Sequence, residues 1–476
     1  LTDAPTLRVV EAGLFERPVA MRLPFRFGAA TVTRARQAFL RLRVEDGAGR
    51  QAEGYAAELM VPKWFDKNPE LSNEDNEAQL RRSLQIAAGL ALEAAPASAF
   101  GLHAALEPAH HRAAGAEGLN GLIASFGLAL VDRAILDALC RLDDLPVTDA
   151  IRANRPGIDA STTRDLAGFD LPAFLAGLRP QPSLHLRHTV GYADALRPEE
   201  VGTRLGDGLP ESLTEEIEAL GISHFKIKLS GRPEADVERL KAVAGVLDRF
   251  DRYRATLDGN EQFDDEAHVL DLWDRIEAEP ALKRLRSSIL FVEQPINRAK
   301  ALSEPVARLA VRVPVEIDES DGTPNAFLEA RACGYTGISS KSCKGFYRAV
   351  LNAARVAQWN AQAGSECFFM SAEDLTTQAG IAVQQDLALA SLLSLGHVER
   401  NGHHYVDGMA GADAREAGAF LDVHPDLYRP HGANLRLRVE AGRIALGSVL
   451  ASPGLGVAAP AAEAAFASLS EKDIAA

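Results

Sequence analysis

The sequence predicts an α/β protein built on a TIM-type barrel. From about residue 184 onward, strand patterns and helix patterns alternate eight times, which is the order of a barrel of eight βα units. Polar clusters close the successive apolar runs at spacings of roughly 25 to 35 residues, about the length of one such unit. Each cluster stands at the C-terminal end of its strand, the face on which barrels of this kind build their active sites. The two ends of the chain read differently from the repeat, with strands up to about residue 60 and helices between about 78 and 180.

In chain order, LRVVEAGLFE and AFLRLRVED read as strands with the polar patch MRLPFRFGAATVT between them. A GAG turn then leads into QAEGYAAEL, completing an antiparallel meander. VPKWFDKNPELSNEDNEAQ is rich in turn formers and charge, so it reads as a loop entering a helix capped near Ser72 or Asn73. LRRSLQIAAGLALEAA and SFGLALVDRAILDALCRL repeat apolar residues at helical spacing, and their Ala and Gly content suits close helix packing. RANRPG and LRPQPS mark loops, the second a domain boundary. The barrel strands are LHLRHTV, HFKIKLS, YRATLD, ILFVEQ, VPVEID, GISSKS, ECFFMSAE and GHVER, with helices such as EADVERLKAVAGVLDRF and others beginning near Asp264 and Ser303. Beyond about residue 416, LRLRVEAGRIAL reads as a hairpin and SPGLGVA as a closing turn, and the tail is expected to return to the N-terminal region.

The 476 residues are enough for two domains, and the formal net charge of -15 argues against unaided attraction to polyanions. No nucleic-acid partner is therefore expected, although a local positive pocket could hold one small carboxylate. Cys140, Cys333, Cys343 and Cys367 show no paired spacing, which fits free thiols in a reducing compartment better than disulfides or zinc. The first residues lack a basic n-region with an apolar core, and no apolar run would span a bilayer. A soluble cytoplasmic protein with no membrane partner is the expectation.

The candidate chemistry begins at HFKIKLS. Lys226 and Lys228 lie two apart on a strand and so share a face, where crowding and burial are expected to lower a lysine pKa toward the range of a working base. Asp258 with Asn260, Glu293 with Gln294, and Asp318 with Glu319 follow at the ends of the next strands, and Lys341 and Lys344 at the sixth. Asp258, Glu293 and Asp318 would repel one another in one pocket unless a cation sat among them. All-oxygen ligands with room for water and substrate suit one Mg2+, with Mn2+ as a substitute.

The Lys-x-Lys, Asp-x-Asn, Glu-Gln-Pro and Asp-Glu-Ser motifs and the sixth-strand lysine, in this order, resemble the enolase superfamily, in its muconate lactonizing enzyme-like subgroup within the mandelate racemase/muconate lactonizing enzyme family. The resemblance spans nearly the whole chain. It implies a modified (β/α)8 barrel, (β/α)7β, with an α+β capping domain made from the N-terminal segment and the C-terminal tail. Residues 1–181 would form the capping domain, 182–415 the catalytic barrel, and 416–476 the returning tail. It further implies Lys228 as the base on one face of the substrate with Lys226 beside it, and Lys341 as acid or base on the other. Asp258, Glu293 and Asp318 would ligate the metal, supported by Asn260, Gln294 and Glu319. The shared step would be proton abstraction α to a carboxylate, giving an enediolate held by magnesium; enolase-superfamily sites are a known example of this pairing of base and metal.

Lysines on both faces permit racemisation, epimerisation or cycloisomerisation, with syn-dehydration as the alternative. A sugar-acid dehydratase fits less well, because the seventh strand offers Ser371, Glu373 and Asp374 in place of a His-Asp pair. Dipeptide substrates are put in doubt by the eighth strand, where HVERNG leaves only Glu399 to hold an ammonium group. In the sixth strand, polar Ser339 and Ser340 and the single Gly345 leave open whether Lys341 or Lys344 points inward, and Cys343 between them reads as a packed thiol. Arg26 between Phe25 and Phe27, and the segment with Met60, Trp64 and Phe65, are candidates for substrate contacts from the cap. The pairs His110 and His111, and His403 and His404, lack spacing to a third metal ligand and read as loop or surface. A barrel that keeps a metal but serves as a non-catalytic scaffold is the reading from another class. Two buried ammonium groups argue against it. The expected partners are a small-molecule carboxylate and further copies of the chain in a homo-oligomer.

Overall fold

The first strands alternate apolar and polar side chains, and the computed structural model, which describes residues 4–27, 30–375, 379–467 and 469–472, pairs them into an antiparallel sheet. In it β1 (Leu7–Phe27), β2 (Ala30–Asp46) and β3 (Gln51–Met60) set Leu14 opposite Leu40, Phe15 opposite Phe39, and Phe39 opposite Ala57. MRLPFRFGAATVT was expected to interrupt the strands. Instead β1 and β2 run into it from either side, with a register shift between Ala20 and Phe25. Backbone pairing outweighs the weak alternation there, and the shift absorbs the mismatch.

Helix α1 (Asn73–Glu93) starts from a reciprocal cap. The Ser72 hydroxyl accepts from the Asp75 N–H (3.0 Å) while the Asp75 carboxylate accepts from the Ser72 N–H (2.8 Å). Two further helices, α2 (Ala99–Ala116) and α3 (Gly121–Leu142), complete the helical layer. The small residues let them approach closely. A Cβ on Gly127 of α3 would lie 2.4 Å from the Ser83 backbone of α1, and one on Gly54 of β3 would lie 1.9 Å from the Ala134 carbonyl oxygen of α3. On α2, His110 is fully buried and His111 half-buried, which corrects their reading as loop or surface. The His110 Nε2–H donates to the Ala124 carbonyl (2.9 Å), so the ring packs inside as a neutral donor.

All eight barrel strands form where the sequence puts them. They are β4 (Ser183–Val190), β5 (His224–Lys228), β6 (Arg254–Asp258), β7 (Ile289–Glu293), β8 (Val315–Ile317), β9 (Gly337–Ser340), β10 (Phe369–Ala372) and β11 (His397–Glu399). Their parallel order is β10-β9-β8-β7-β6-β5-β4-β11, so the curled sheet brings its two end strands together. At that seam, loop groups replace a ladder among the described residues. The Asp374 N–H donates to Glu399 (2.9 Å), and the Asn401 N–H donates to Asp374 (2.8 Å).

Two elements depart from expectation. The helix beginning near Ser303 is instead two short turns, Arg298–Ala301 and Ala307–Ala310, with Pro305 between them, whose ring and missing N–H disfavour a continuous helix; α2 is long enough to carry Pro108 in its interior all the same. LRLRVEAGRIAL is not a self-contained hairpin. β13 (Asn434–Leu437) pairs with β12 (Tyr428–His431), while β14 (Arg443–Ala445) crosses to β4 with Arg443 opposite His185. Ile444 is completely buried there, a gain that an isolated two-stranded ribbon does not offer. Further on, Phe466 packs edge-on against Phe15 and Phe39 (ring centroids 5.2 and 5.8 Å), and β15 (Glu471–Lys472) pairs with β1. The four cysteines stay free. Among the described residues no helix is long and apolar enough to cross a membrane.

Buried histidines give the fold a pH limit. Burial pushes the His110 and His424 pKa values down to about 4, and burial with the neighbouring His185 pushes that of His224 down to about 3. These rings are neutral in the fold and take up a proton on unfolding once the pH is below about 6.5. Stability is therefore complete above that pH and is lost as the pH falls toward the folded values, by up to ~1.4 kcal/mol per pH unit for each ring. Denaturant unfolding from neutral to mildly acidic pH should show the midpoint falling well before ordinary carboxylates titrate. A midpoint that stays level until about pH 5 would contradict the neutral-ring assignment.

Candidate active site

Period-two alternation sends Arg187 and Thr189 of β4, Lys226 and Lys228 of β5, Asp258, Glu293, Glu316, and Ser371 with the adjacent Glu373 into the barrel interior, each nine-tenths or more buried. Lys226 is their hub. Its Nζ donates to Glu293 (2.8 Å), Glu373 (2.8 Å) and Glu399 (3.0 Å), and lies 3.0 Å from Asp258. Burial opposes its charge, yet these four carboxylates hold its pKa well above the ordinary lysine value. The expected depression is thus reversed, because anions outnumber the neighbouring ammonium group. Among the described residues Lys228 has one carboxylate partner, Asp258 at 2.5 Å, and it is the more exposed of the two lysines.

Lys341 follows β9, which is separated from β5 by β6, β7 and β8 and so lies across the barrel. Its ammonium group donates to Asp318 and sits 4.4 Å from the centroid of the Trp64 ring. Burial would lower its pKa, but Asp318 raises it. The turn Ser342–Lys344 brings Lys344 inward as well, so both sixth-strand lysines are buried and both contact Asp318. They differ in their other partners. Lys344 donates to the Ser339 carbonyl (2.7 Å) and hydroxyl (2.8 Å) and reaches Asp321 at 3.2 Å, while Ser339 in turn donates to Asp318. Cys343 is buried, and burial with Glu58 nearby pushes its thiol well above the usual range, as suits a packed thiol.

The three expected metal ligands project from the ends of β6, β7 and just past β8, and a lysine engages each of them. Asp318 is held below the ordinary carboxylate range against its burial by Lys341 and Lys344. The carboxylates whose oxygens converge within 4.8 Å are Glu293, Glu316 and Glu373, a set that shares only Glu293 with the expected one. Burial, with Asp258 and Glu373 adjacent, pushes Glu293 well above its ordinary value. Burial, with Glu373 adjacent, does the same to Glu316. Glu316 Oε2 accepts no hydrogen bond among the described residues. Crowded, buried, oxygen-only donors of this kind fit a hard divalent cation. Glu316 was legible by alternation, two residues before Asp318 on the same face; Arg187, which pairs with Glu373, was legible in the same way before Thr189.

The supporting positions hold the ends of these strands. Asn260 donates its N–H to Asp258 (2.8 Å), and Gln294 Oε1 accepts from the Asp318 and Ser320 N–H groups (2.8 and 3.2 Å). Both residues adopt positive φ (42° and 33°), so backbone strain is concentrated beside the carboxylates. Glu319 is buried with both oxygens lacking a hydrogen bond among the described residues, and burial raises its pKa. Ser371 donates to Glu316 (2.8 Å), and Glu399 accepts from Thr189 (2.5 Å), which places these two and Glu373 inside the charge network.

The segment after β3 closes over this network. Arg298 donates to the Trp64 carbonyl (2.9 Å) and the Phe65 carbonyl (3.2 Å) and pairs with Glu261, which also binds Lys67. Lys67 reaches the Asn260 carbonyl as well, at 3.2 Å. Phe65 packs on Trp64 and Phe126, and Met60 is fully buried at the end of β3. Lys67, Glu261 and Arg298 had no motif to announce them. Arg26 is not brought to the lysines. It is exposed and lines a cavity of about 410 Å³ with Asp194, Arg239 and His404, while Phe25 packs on Tyr405 and the side chain of Phe27 lies outside the described residues.

Neither a family model nor a curated protein sequence matches the chain. Solved structures do. An enolase from Bradyrhizobium complexed with magnesium and mandelic acid aligns with TM-score 0.59 and 16% identity, over 99% of this chain and 100% of that one. A dipeptide epimerase from Enterococcus faecalis V583, complexed with Mg and the dipeptide L-Leu-L-Tyr, aligns with TM-score 0.57 and 15% identity, over 95% and 99%. The 2-chloromuconate cycloisomerase from Rhodococcus opacus 1CP gives 0.55 and 15%, over 95% and 96%. Over 95–99% of its length the chain shares the fold of these structures, which is the fold of the enolase superfamily.

Proposed function

We propose that the chain is a magnesium-dependent isomerase that removes the proton α to the carboxylate of a small acid and returns it in a racemisation, an epimerisation or a cycloisomerisation. The observation that carries this reading is the pair of lysine groups on opposite sides of the barrel, Lys226 with Lys228 and Lys341 with Lys344, around a buried set of carboxylates. The similar structures with bound mandelic acid or a dipeptide support a small carboxylate as substrate.

Glu293 with Asp258 and Asp318 would hold the ion, magnesium or manganese, and Glu316 and Glu373, whose oxygens converge with those of Glu293, would add negative charge beside it. When bound, the ion supplies positive charge against the doubly anionic product of proton removal. Lys228, with a single carboxylate partner and the greater exposure, takes the proton at Nζ on one face. Lys341 gives or takes it at Nζ on the other. Lys226, buried and fixed in its ammonium form, orients the carboxylates and offers charge to the substrate carboxylate. Trp64, held down through its carbonyl by Arg298, covers Lys341 and keeps water from it.

Solvent exchange tests this reading directly. The protein is incubated with magnesium in heavy water and a panel of N-acyl amino acids, dipeptides, aldonic acids and cyclic carboxylates, and each compound is followed by mass spectrometry. One class should gain a deuteron, and excess chelator should stop the gain. Loss of water from a panel member would replace the isomerase reading with a lyase, and a panel inert at saturating magnesium would count against both.

A further inference from the structure

His403 and His404, expected at the surface with no third ligand, are both buried in the short helix Gly402–Tyr405. Their neighbours come from far away in sequence, which is why spacing did not reveal them. His188 of β4 points outward between the inward-facing Arg187 and Thr189, toward Glu216 on the helix Leu213–Leu220. Ligand atoms of His188, Glu216 and His403 lie within 4.8 Å of one another. His188 Nδ1 is 3.0 Å from His403 Nε2, and that Nε2 is 3.6 Å from Glu216 Oε2. Ligands about 2.0–2.1 Å from a tetrahedral ion stand ~3.3 Å apart, so these separations bracket the edge of a zinc tetrahedron.

A plain hydrogen-bonded cluster accounts for less. One proton shared between His188 and His403 satisfies that contact, but Glu216 is almost wholly buried and its Oε2, aimed at His403, has no hydrogen-bond partner among the described residues. Its other oxygen accepts from His404 Nδ1 at 2.6 Å, which fixes the carboxylate as outer partners of metal ligands do. His404 also lines a cavity of about 410 Å³, so the cluster stands one residue away from open space.

We propose that His188 Nδ1, His403 Nε2 and Glu216 Oε2 form a second metal site, separate from the carboxylates of the barrel interior, that takes Zn2+ or a similar first-row divalent ion. Two imidazoles and one carboxylate suit zinc better than the oxygen-seeking magnesium. The ligands come from β4, the helix after it and the segment just past β11. The ion would therefore tie the outside of the barrel beside the paired strands β4 and β11, with His403 four residues beyond Glu399.

The test uses the full chain stripped with chelator and then given Zn2+ or Co2+ in the presence of excess Mg2+, which keeps the carboxylate site occupied. The parent should retain one equivalent of zinc after gel filtration, melt at higher temperature with zinc than without, and show the intense visible d–d bands of tetrahedral cobalt. His403→Gln and His188→Gln should lose the cobalt bands and the zinc-dependent rise in melting temperature, while Glu293→Gln should keep both. No retained zinc in the parent would overturn the proposal, whether or not the variants fold. So would cobalt bands that survive in both histidine variants, or a thiolate-to-cobalt charge-transfer band, which would place the ion on a cysteine.

Discussion

Replacing Lys228 with alanine should lower α-proton exchange by ~10²–10⁴-fold, the usual contribution of a positioned acid or base. Lys341→Ala should cost isomerisation as much, and the two losses should differ in kind. If a proton leaves one face and returns on the other, each variant keeps exchange on the stereoisomer whose α-hydrogen faces its surviving lysine and loses it on the mirror form. Exchange lost on both forms in Lys341→Ala would instead mean that Lys341 acts on the bound substrate as a whole, as a cycloisomerase would require. Lys344→Ala is the control. Its ammonium group donates to the Ser339 carbonyl and hydroxyl and touches Asp321, so it acts through the position of Asp318 and Ser339. Its loss should fall mainly on magnesium affinity. Full turnover in Lys341→Ala with none in Lys344→Ala would exchange the two roles.

What the sequence disclosed follows from what repeats locally. The eight strands were legible because apolar runs and acidic or basic ends recur at regular spacing, and Lys226, Lys228, Asp258, Glu293, Asp318 and Lys341 were legible because each closes such a run. Glu316 and Arg187 were available by the same period-two rule, since each lies two residues before a singled-out or inward-facing position. Other features depend on contacts between distant segments, which no window contains. Arg298 holds the Trp64 carbonyl from 234 residues away, and His188 meets His403 across 215. The pKa of Lys226 was misjudged for a related reason. Two adjacent lysines read as mutual repulsion, whereas the fold surrounds Lys226 with carboxylates from four other strand ends, and their attraction wins. The C-terminal hairpin failed because Ile444 buries itself against the barrel, and no local pattern records the better partner.

Lys226→Met should be the most destabilising single change in the barrel, by ~3–5 kcal/mol in metal-free buffer at neutral pH, which is the cost of leaving buried charge unpaired. Four carboxylates share this one ammonium group, and the methionine fills its volume while removing its charge. Arg187 still holds Glu373 and Lys228 still holds Asp258, so Glu293 loses the most. Glu293 already stands well above its ordinary pKa through burial and its anionic neighbours, and without Lys226 it should take up a proton at still higher pH. The deficit should therefore shrink as the pH falls and these carboxyl groups become neutral, opposite in slope to the histidine-driven loss of stability in the parent. Magnesium should raise the variant's own stability: at about 100 times its dissociation constant, an ion that binds the folded and not the unfolded chain adds ~2.7 kcal/mol. The parent gains likewise, so the deficit between them narrows only by the factor by which the variant, lacking the competing ammonium group, binds the ion more tightly. Urea unfolding of parent and variant, with and without magnesium, measures both effects at once. A variant as stable as the parent without metal would mean that the carboxylates already carry protons in the fold, and the electrostatic case for a divalent ion among them would fail. A destabilised variant that magnesium does not restore would keep the charge network but place the ion elsewhere.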